Sequence, residues 1–162
     1  MQEYSFQLMD DDTFCVTRYE GDEAEVTVPA FHGNTPVTIL YDDLFKGHTE
    51  ITSVTIPDSV TNIGSFAFDG CENLRSIRLP SGLEDLWQYA FARCGIEEIT
   101  LPEKMTSLAS FTFLHCKNLK RVTCNAGLKK IHAWAFSGCE NLKELYYSDG
   151  TVLSPLAFET RE

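Results

Sequence analysis

The sequence predicts a β-rich (α/β) solenoid of about five coils of 22–23 residues, with parallel strands, short helical turns and an N-terminal β-hairpin cap. Three observations predict it. Cysteine recurs at Cys71, Cys94, Cys116 and Cys139, in steps of 23, 22 and 23 residues, and His48 holds the same slot one step earlier. Prolines recur in phase at Pro57, Pro80 and Pro102. A small or apolar residue followed by phenylalanine recurs at Leu44-Phe45, Ala67-Phe68, Ala90-Phe91, Thr112-Phe113 and Ala135-Phe136. A unit this short cannot bury its own apolar side, so successive coils must stack and share one core.

The N-terminus stands outside the period. "YSFQLM" and "TFCVTRY" alternate apolar and polar letters around "DDD", the pattern of a hairpin. The chain therefore divides into a β-hairpin cap at 1–28 and a solenoid at 29–162, because an open-ended core requires a cover. The first coil is degenerate and carries the additional stretch "AFHGN" (30–34). In the later units, "LRSIRL" (74–79), "IEEITL" (96–101), "LKRVTC" (119–124) and "LKELYY" (142–147) read as strands. Their first, fourth and sixth positions face the core. A second short strand falls in "SVTNIG" (59–64), "GLEDLW" (82–87), "KMTSLA" (104–109) and "GLKKIH" (127–132). Proline sits between the two strands, where its missing N–H breaks no ladder. The A-F-x-x-C segment is too short for a regular helix and reads as one helical turn. Same-slot strands of successive coils pair in parallel, about 4.8 Å apart. One corner, Cys94-Gly95-Ile96, is a residue short, and Ala157-Phe158 marks a terminal half-unit.

At 162 residues, 43% of them hydrophobic, the chain suits one ordered domain. No apolar run approaches a membrane span. The opening "MQEYSFQLMDDD" lacks the basic and apolar regions of a signal peptide. The expected location is cytoplasmic as written, or cell-surface or secreted if a leader was removed. The net charge is −11 and is unevenly spread. Residues 1–50 carry eleven acids against two bases (−9), and residues 104–143 carry seven bases against one acid (+6). That balance argues against nucleic acid as a partner.

A period of 22–23 residues lies in the leucine-rich-repeat range. The stretch "ITSVTIPDSVTNIGSFAFDGCENL" (51–74), with "CVTRYEGDEAEVTVP" (15–29) and "TPVTIL" (35–40) before it, resembles the BspA-like leucine-rich repeat family over nearly the whole chain. The resemblance implies a right-handed leucine-rich-repeat solenoid. It also implies a bacterial protein, often on the cell surface, that binds proteins or matrix. The family has no shared catalytic residues to carry over.

The repeated cysteine invites a metal or redox reading. Zinc–sulfur bonds of about 2.3 Å need clustered sulfurs, whereas three coil steps separate the outer rungs by roughly 14 Å. Side chains in a ladder point the same way, and a disulfide needs converging Cβ vectors. The plainer reading is a small buried residue at a tight bend. The set Cys116, Cys124, His132 and Cys139 lacks zinc-module spacing, and Cys124 should face the core. His115 beside Cys116 brings no oxyanion hole, so no enzyme is expected. "DDD" lacks the alternating ligands and closing Glu of a calcium loop. No cofactor is expected.

Outward strand positions form columns: Ser53, Ser76, Glu98, Arg121, Glu144, and Thr55, Arg78, Thr100, Thr123, Tyr146. Thr52, Arg75, Glu97, Lys120 and Lys143 flank them. The candidate protein-binding residues are Arg75, Arg78, Glu98, Lys120, Arg121, Thr123, Glu144 and Tyr146. Cross-strand charge pairing would merely solubilise this face, whereas a polar sheet on a rigid solenoid also suits a protein partner. The leading expectation is a non-catalytic protein-binding scaffold. The alternative is a structural spacer that self-associates end to end, acidic cap against basic last coils, in salt-sensitive oligomers. A cysteine-based metal or redox protein is the remote alternative. Phe66, Tyr89, Phe111 and Trp134 share one slot and read as peripheral.

Overall fold

The structure, a computed structural model, describes residues 1–160. The end of the terminal stretch "LAFETRE" (156–162) therefore lies outside the described residues. The chain begins with strands β1 (Glu3–Leu8), β2 (Phe14–Glu20), β3 (Glu25–Thr27), β4 (Phe31–His32), β5 (Thr35–Leu40) and β6 (Ser53–Thr55). Short strands follow: β7 (Asn62–Ile63), β8 (Asp85–Leu86), β9 (Glu98–Thr100), β10 (Ser107–Leu108) and β11 (Arg121–Thr123). The last three are β12 (Lys130–Ile131), β13 (Glu144–Tyr146) and β14 (Val152–Leu153).

β1 and β2 form the expected antiparallel hairpin, with Asp12 in the left-handed region (φ 61°) at its turn. β2 then pairs in parallel with β5, which starts the stack. The additional residues of the first coil form a second small hairpin, β4 against β5. It lays His32 on Phe6 (4.2 Å between ring centres) and edge-on to Phe14 (4.8 Å).

Every other pairing is parallel, as a solenoid requires. β3 pairs with β6; β5, β7 and β8 run in order; β9, β11 and β13 form one sheet and β10, β12 and β14 another. The core is a column of phenylalanines. Phe45, Phe68, Phe91, Phe113 and Phe136 are fully buried, with successive rings 4.9–5.8 Å apart. Phe158 continues the column at 5.4 Å. About five coils were expected; the column has six rungs, because the half-unit at 153–158 adds β14 and Phe158 to the stack.

No helix occurs among the described residues, so the A-F-x-x-C segments are not helical turns. The hydrogen bonds explain why. Phe45 N–H and Gly47 N–H donate to Ala67 and Asp69 carbonyls of the next coil, while Lys46 and His48 N–H donate three residues back. A helix needs every amide bonded within its own segment. Here alternate amides bind the neighbouring coil.

The residue before four of the Ala-Phe or Thr-Phe pairs adopts a positive φ: 61° at Phe66, 64° at Tyr89, 62° at Phe111 and 62° at Trp134. Bulky residues rarely accept that backbone. Their rings stack face to face in a second column, 4.7, 5.1 and 5.6 Å apart and within 8° of parallel. Such stacking is worth about 0.5–1.5 kcal/mol per pair beyond area burial, comparable to the strain. The slot read as peripheral is therefore an outer aromatic ladder. Lys46 Nζ covers its first ring, 4.9 Å above the centre of Phe66.

The ladder of the strand face has one break. Residues 74–79, expected as a strand, form none. β6 below them pairs only with β3, and β9 above pairs only with β11. Elsewhere the rungs repeat: Val28 N–H donates to Thr55, Leu101 to Thr123, and Cys124 to Tyr146. The equivalent rungs from Ile56 and Leu79 are absent among the described residues. The second face breaks nearby, between β8 and β10.

Both breaks lie beside the short corner. With one residue fewer, Gly95 closes directly on the preceding coil, and a Cβ there would run into the Glu72 carbonyl oxygen. Residues 76–79 lie between a full-length coil and a short one. Parallel pairing needs a fixed register, and that segment matches neither neighbour.

Candidate functional site

The upper strand face follows the expected columns. Parallel register sets Glu98, Arg121 and Glu144 side by side, then Thr100, Thr123 and Tyr146. Arg121 Nε donates to Glu144 Oε2 at 2.6 Å, and Nη1 reaches Glu98 Oε2 at 3.4 Å. The Tyr146 hydroxyl donates to Glu144 Oε2 at 3.0 Å. The hydrogen bond from Arg121 holds the Glu144 carboxyl below its ordinary range, and the bond to Glu144 raises Arg121 and Tyr146 in turn. All three side chains are solvated, so the network contributes little to stability. It fixes their positions.

Arg78 pairs with Asp58 at 3.1 Å, one coil below, and Ser81 N–H donates to the same carboxylate at 2.9 Å. The Ser81 N–H and then Arg78 hold Asp58 below the usual carboxylate range. Arg75 and Lys120 are exposed and make no ion pair among the described residues. Arg75, Glu97 and Lys120 alternate in sign along their column, yet they are not joined as ion pairs among the described residues.

Not every position expected in the core of this face is fully covered. Tyr147 was expected to point inward and is 45% exposed, because no described strand covers β13. Ile77 is only half-buried, whereas Val54, Ile99 and Val122 in the same slot are buried. Cys124 is intermediate too, packed against the core rather than within it.

Where the ladder breaks, the surface opens. A cavity of 870 Å³ lies against Ile77, Arg78, Leu79, Glu98, Arg121 and Thr123. A second, of 470 Å³, is bounded by Arg75, Ser76, Glu98, Lys120, Arg121 and Glu144. Between them they take in seven of the eight candidate residues; Tyr146 stands beyond, 53% exposed. The sequence reading missed that the centre of this face is a cleft. Its signal is the corner Cys94-Gly95-Ile96, which lacks the asparagine of the other corners.

The cysteine column is structural. Cys71, Cys116 and Cys139 each direct Sγ at the carbonyl of a core phenylalanine one coil below, Phe45, Phe91 and Phe113, at 3.2, 2.9 and 3.0 Å. Cys94, in the short corner, instead lies 4.0 Å from the Leu74 carbonyl. All six cysteines are free thiols. Burial pushes Cys94 and Cys139 up to about 12 and Cys71 and Cys116 well above the ordinary value, so the reactive thiolate is suppressed. No group of three or more His, Cys, Asp or Glu side chains is arranged to hold a metal among the described residues. No helix among them is long and apolar enough to cross a membrane.

Six stacked coils with parallel strands, a phenylalanine column and a polar strand face define a leucine-rich-repeat scaffold. The chain belongs to the BspA type leucine rich repeat family: residues 38–162 match that repeat region in six copies. The solved structures similar to it are bacterial leucine-rich repeat proteins. One from T. pallidum is 29% identical, with a TM-score of 0.71 over 88% of this chain and 78% of that one. A leucine rich cell surface protein from Faecalibacterium prausnitzii is 26% identical, with a TM-score of 0.55 over 91% of this chain and 54% of that one. A leucine-rich repeat protein from Bacteroides capillosus is 27% identical, with a TM-score of 0.54 over 90% and 94%. No curated protein matches the chain.

Proposed function

We propose that the chain is a non-catalytic scaffold that binds another protein through its strand face. The observation that carries this reading is the 870 Å³ cleft there, with half-buried Ile77 inside it and Arg78, Glu98, Arg121 and Thr123 around it. Apolar surface ringed by placed polar groups is what a partner side chain needs. Tyr146, held by Glu144 but exposed on its ring, is an anchor of the type that dominates interfaces. The stacked core makes the face rigid, so little conformational entropy is lost on binding. The F. prausnitzii protein is named a cell surface protein, which supports a similar setting for this chain. The test is selection from a displayed library of protein fragments. Selected binders should lose capture on the double variant Arg121→Glu, Tyr146→Ala; undiminished capture places the interface elsewhere.

A second reading is end-to-end assembly. Phe158 is 46% exposed whereas its column partners are fully buried, and Val152 and Leu156 are exposed beside it. A second molecule could cover this patch with its acidic first coils against the basic last ones. Light scattering at low and high salt decides: a monomer at every ionic strength rejects it.

A further inference from the structure

The short corner leaves more than a broken ladder. In the full-length corners, an asparagine ties each coil to the one below: Asn73 Nδ2 donates to the Thr49 carbonyl and Asn141 Nδ2 to the Lys117 carbonyl, both at 2.7 Å. The short corner has no such residue, and Asn118, directly above it, makes no hydrogen bond among the described residues. The result is a notch of 620 Å³. Arg75, Arg93, His115 and Lys117 line it, with Glu72 the one acid in its wall. Arg93 is held by Asp69, with Nη2 2.9 Å from both carboxylate oxygens. The side chains of Arg75, His115 and Lys117 make no hydrogen bond or ion pair among the described residues. This is a concentrated basic site on a chain of net charge −11.

The notch is continuous with the strand-face cleft. Arg75 borders both the notch and the 470 Å³ cavity; Ser76, Glu98 and Arg121 border both that cavity and the 870 Å³ one. Together they follow residues 75–79, about 16 Å of extended chain. Along that line Ser76, Ile77 and Leu79 make no backbone hydrogen bond among the described residues. Ile77 offers an apolar contact in the middle.

We propose that this groove binds an extended acidic segment of a partner protein. The segment's carboxylates would sit in the notch, its chain would lie across the face over residues 76–79, and an alternate side chain would rest on Ile77. An extended segment lying on such a face draws specificity from its alternate side chains. The basic notch selects for acids. The proposal rests on the protein-binding reading above and names the partner chemistry of the same face.

The experiment is selection from a library of capped random decapeptides, followed by fluorescence anisotropy of the selected peptides at about 0.15 M salt, where exposed charges are screened beyond about 8 Å. Selected peptides should carry Asp or Glu at one end and alternating apolar residues after it. Arg75→Glu, Lys117→Glu should weaken them at least tenfold. Inserting asparagine between Gly95 and Ile96 should restore the ladder and abolish binding. Hydrogen exchange at residues 76–79 should slow when peptide is added. Indifference of the peptides to the charge-reversed variant, or equal binding of their Gln- and Asn-substituted forms, overturns the groove. So does tight binding of a sulfated oligosaccharide with none of any peptide. Fragment capture lost on Arg121→Glu, Tyr146→Ala but not on Arg75→Glu, Lys117→Glu overturns the groove and leaves the strand-face reading standing. The reverse pattern supports the groove and removes Arg121 and Tyr146 from the interface.

Discussion

Residues 74–79 and residues 96–101 are written in the same pattern, yet only the second forms a strand. Both place Leu or Ile at the first, fourth and sixth positions, and both follow a cysteine corner. β9 pairs in register with β11, and Ile99 is 3% exposed. Ile77, in the same slot, is half-buried with its backbone unpaired. The difference lies not in the strand's own letters but in one missing residue in the next corner. A ladder rung belongs to two coils, so its formation depends on both coils having the same length. Meanwhile Phe68 and Phe91 stack at 4.9 Å across the same junction, within 2° of parallel. The side-chain column tolerates a shift that the hydrogen-bonded ladder does not, because dispersion is non-directional and a hydrogen bond is not.

The largest expected effect tests the continuity of the column. Phe91→Ala removes a fully buried ring stacked on both sides and should cost about 3–5 kcal/mol in urea unfolding. Phe158→Ala, at the exposed rung, should cost well under half of that. Equal losses would mean that the column is not the shared core.

Gly95→Ala comes next. Its Cβ would strike the Glu72 backbone, and relieving that overlap should cost about 1–3 kcal/mol. Gly127→Ala meets only ordinary or slightly tight contacts, at 3.4 Å from Asn125 Oδ1, and should be nearly neutral. Thermal melts of the two variants read the difference directly.

The asparagine ladder should show the same asymmetry more gently. Asn73→Ala and Asn141→Ala each remove a bond to the coil below and should cost about 1 kcal/mol. Asn118→Ala, above the short corner, should cost close to nothing. A loss at Asn118 equal to the others would place an inter-coil bond where the structure has none.

The smallest effect is at the surface. Arg121→Ala breaks two exposed ion pairs and should leave the urea-unfolding midpoint nearly unchanged. A larger loss would show that the charge columns hold the regular sheet together rather than dress it.

Much of this was legible in the letters. The steps between cysteines located the coils, and the Leu, Ile and Val positions located β9, β11 and β13. The hairpin was readable from alternation around "DDD". The helical turn was misread because the A-F-x-x-C segment shows no sign of where its amides bond, and they bond across coils. The aromatic slot lies at the periphery as read, but its stacking was not legible because its four members differ in type. Of the candidate residues, Glu98, Arg121, Glu144 and Tyr146 form the network their columns suggest, whereas Arg75 and Lys120 stand unpaired beside a cavity.

Sequence alone determined the period, the family, most of the core positions and the identity of the odd corner. Each follows from the spacing of letters along one chain. Only the tertiary structure decided what the odd corner does. A missing residue is a local fact, but its effect falls on the adjoining strand, where rungs fail to meet and a basic notch runs into an apolar cleft. Register is a relation between coils, and it exists only once they are stacked.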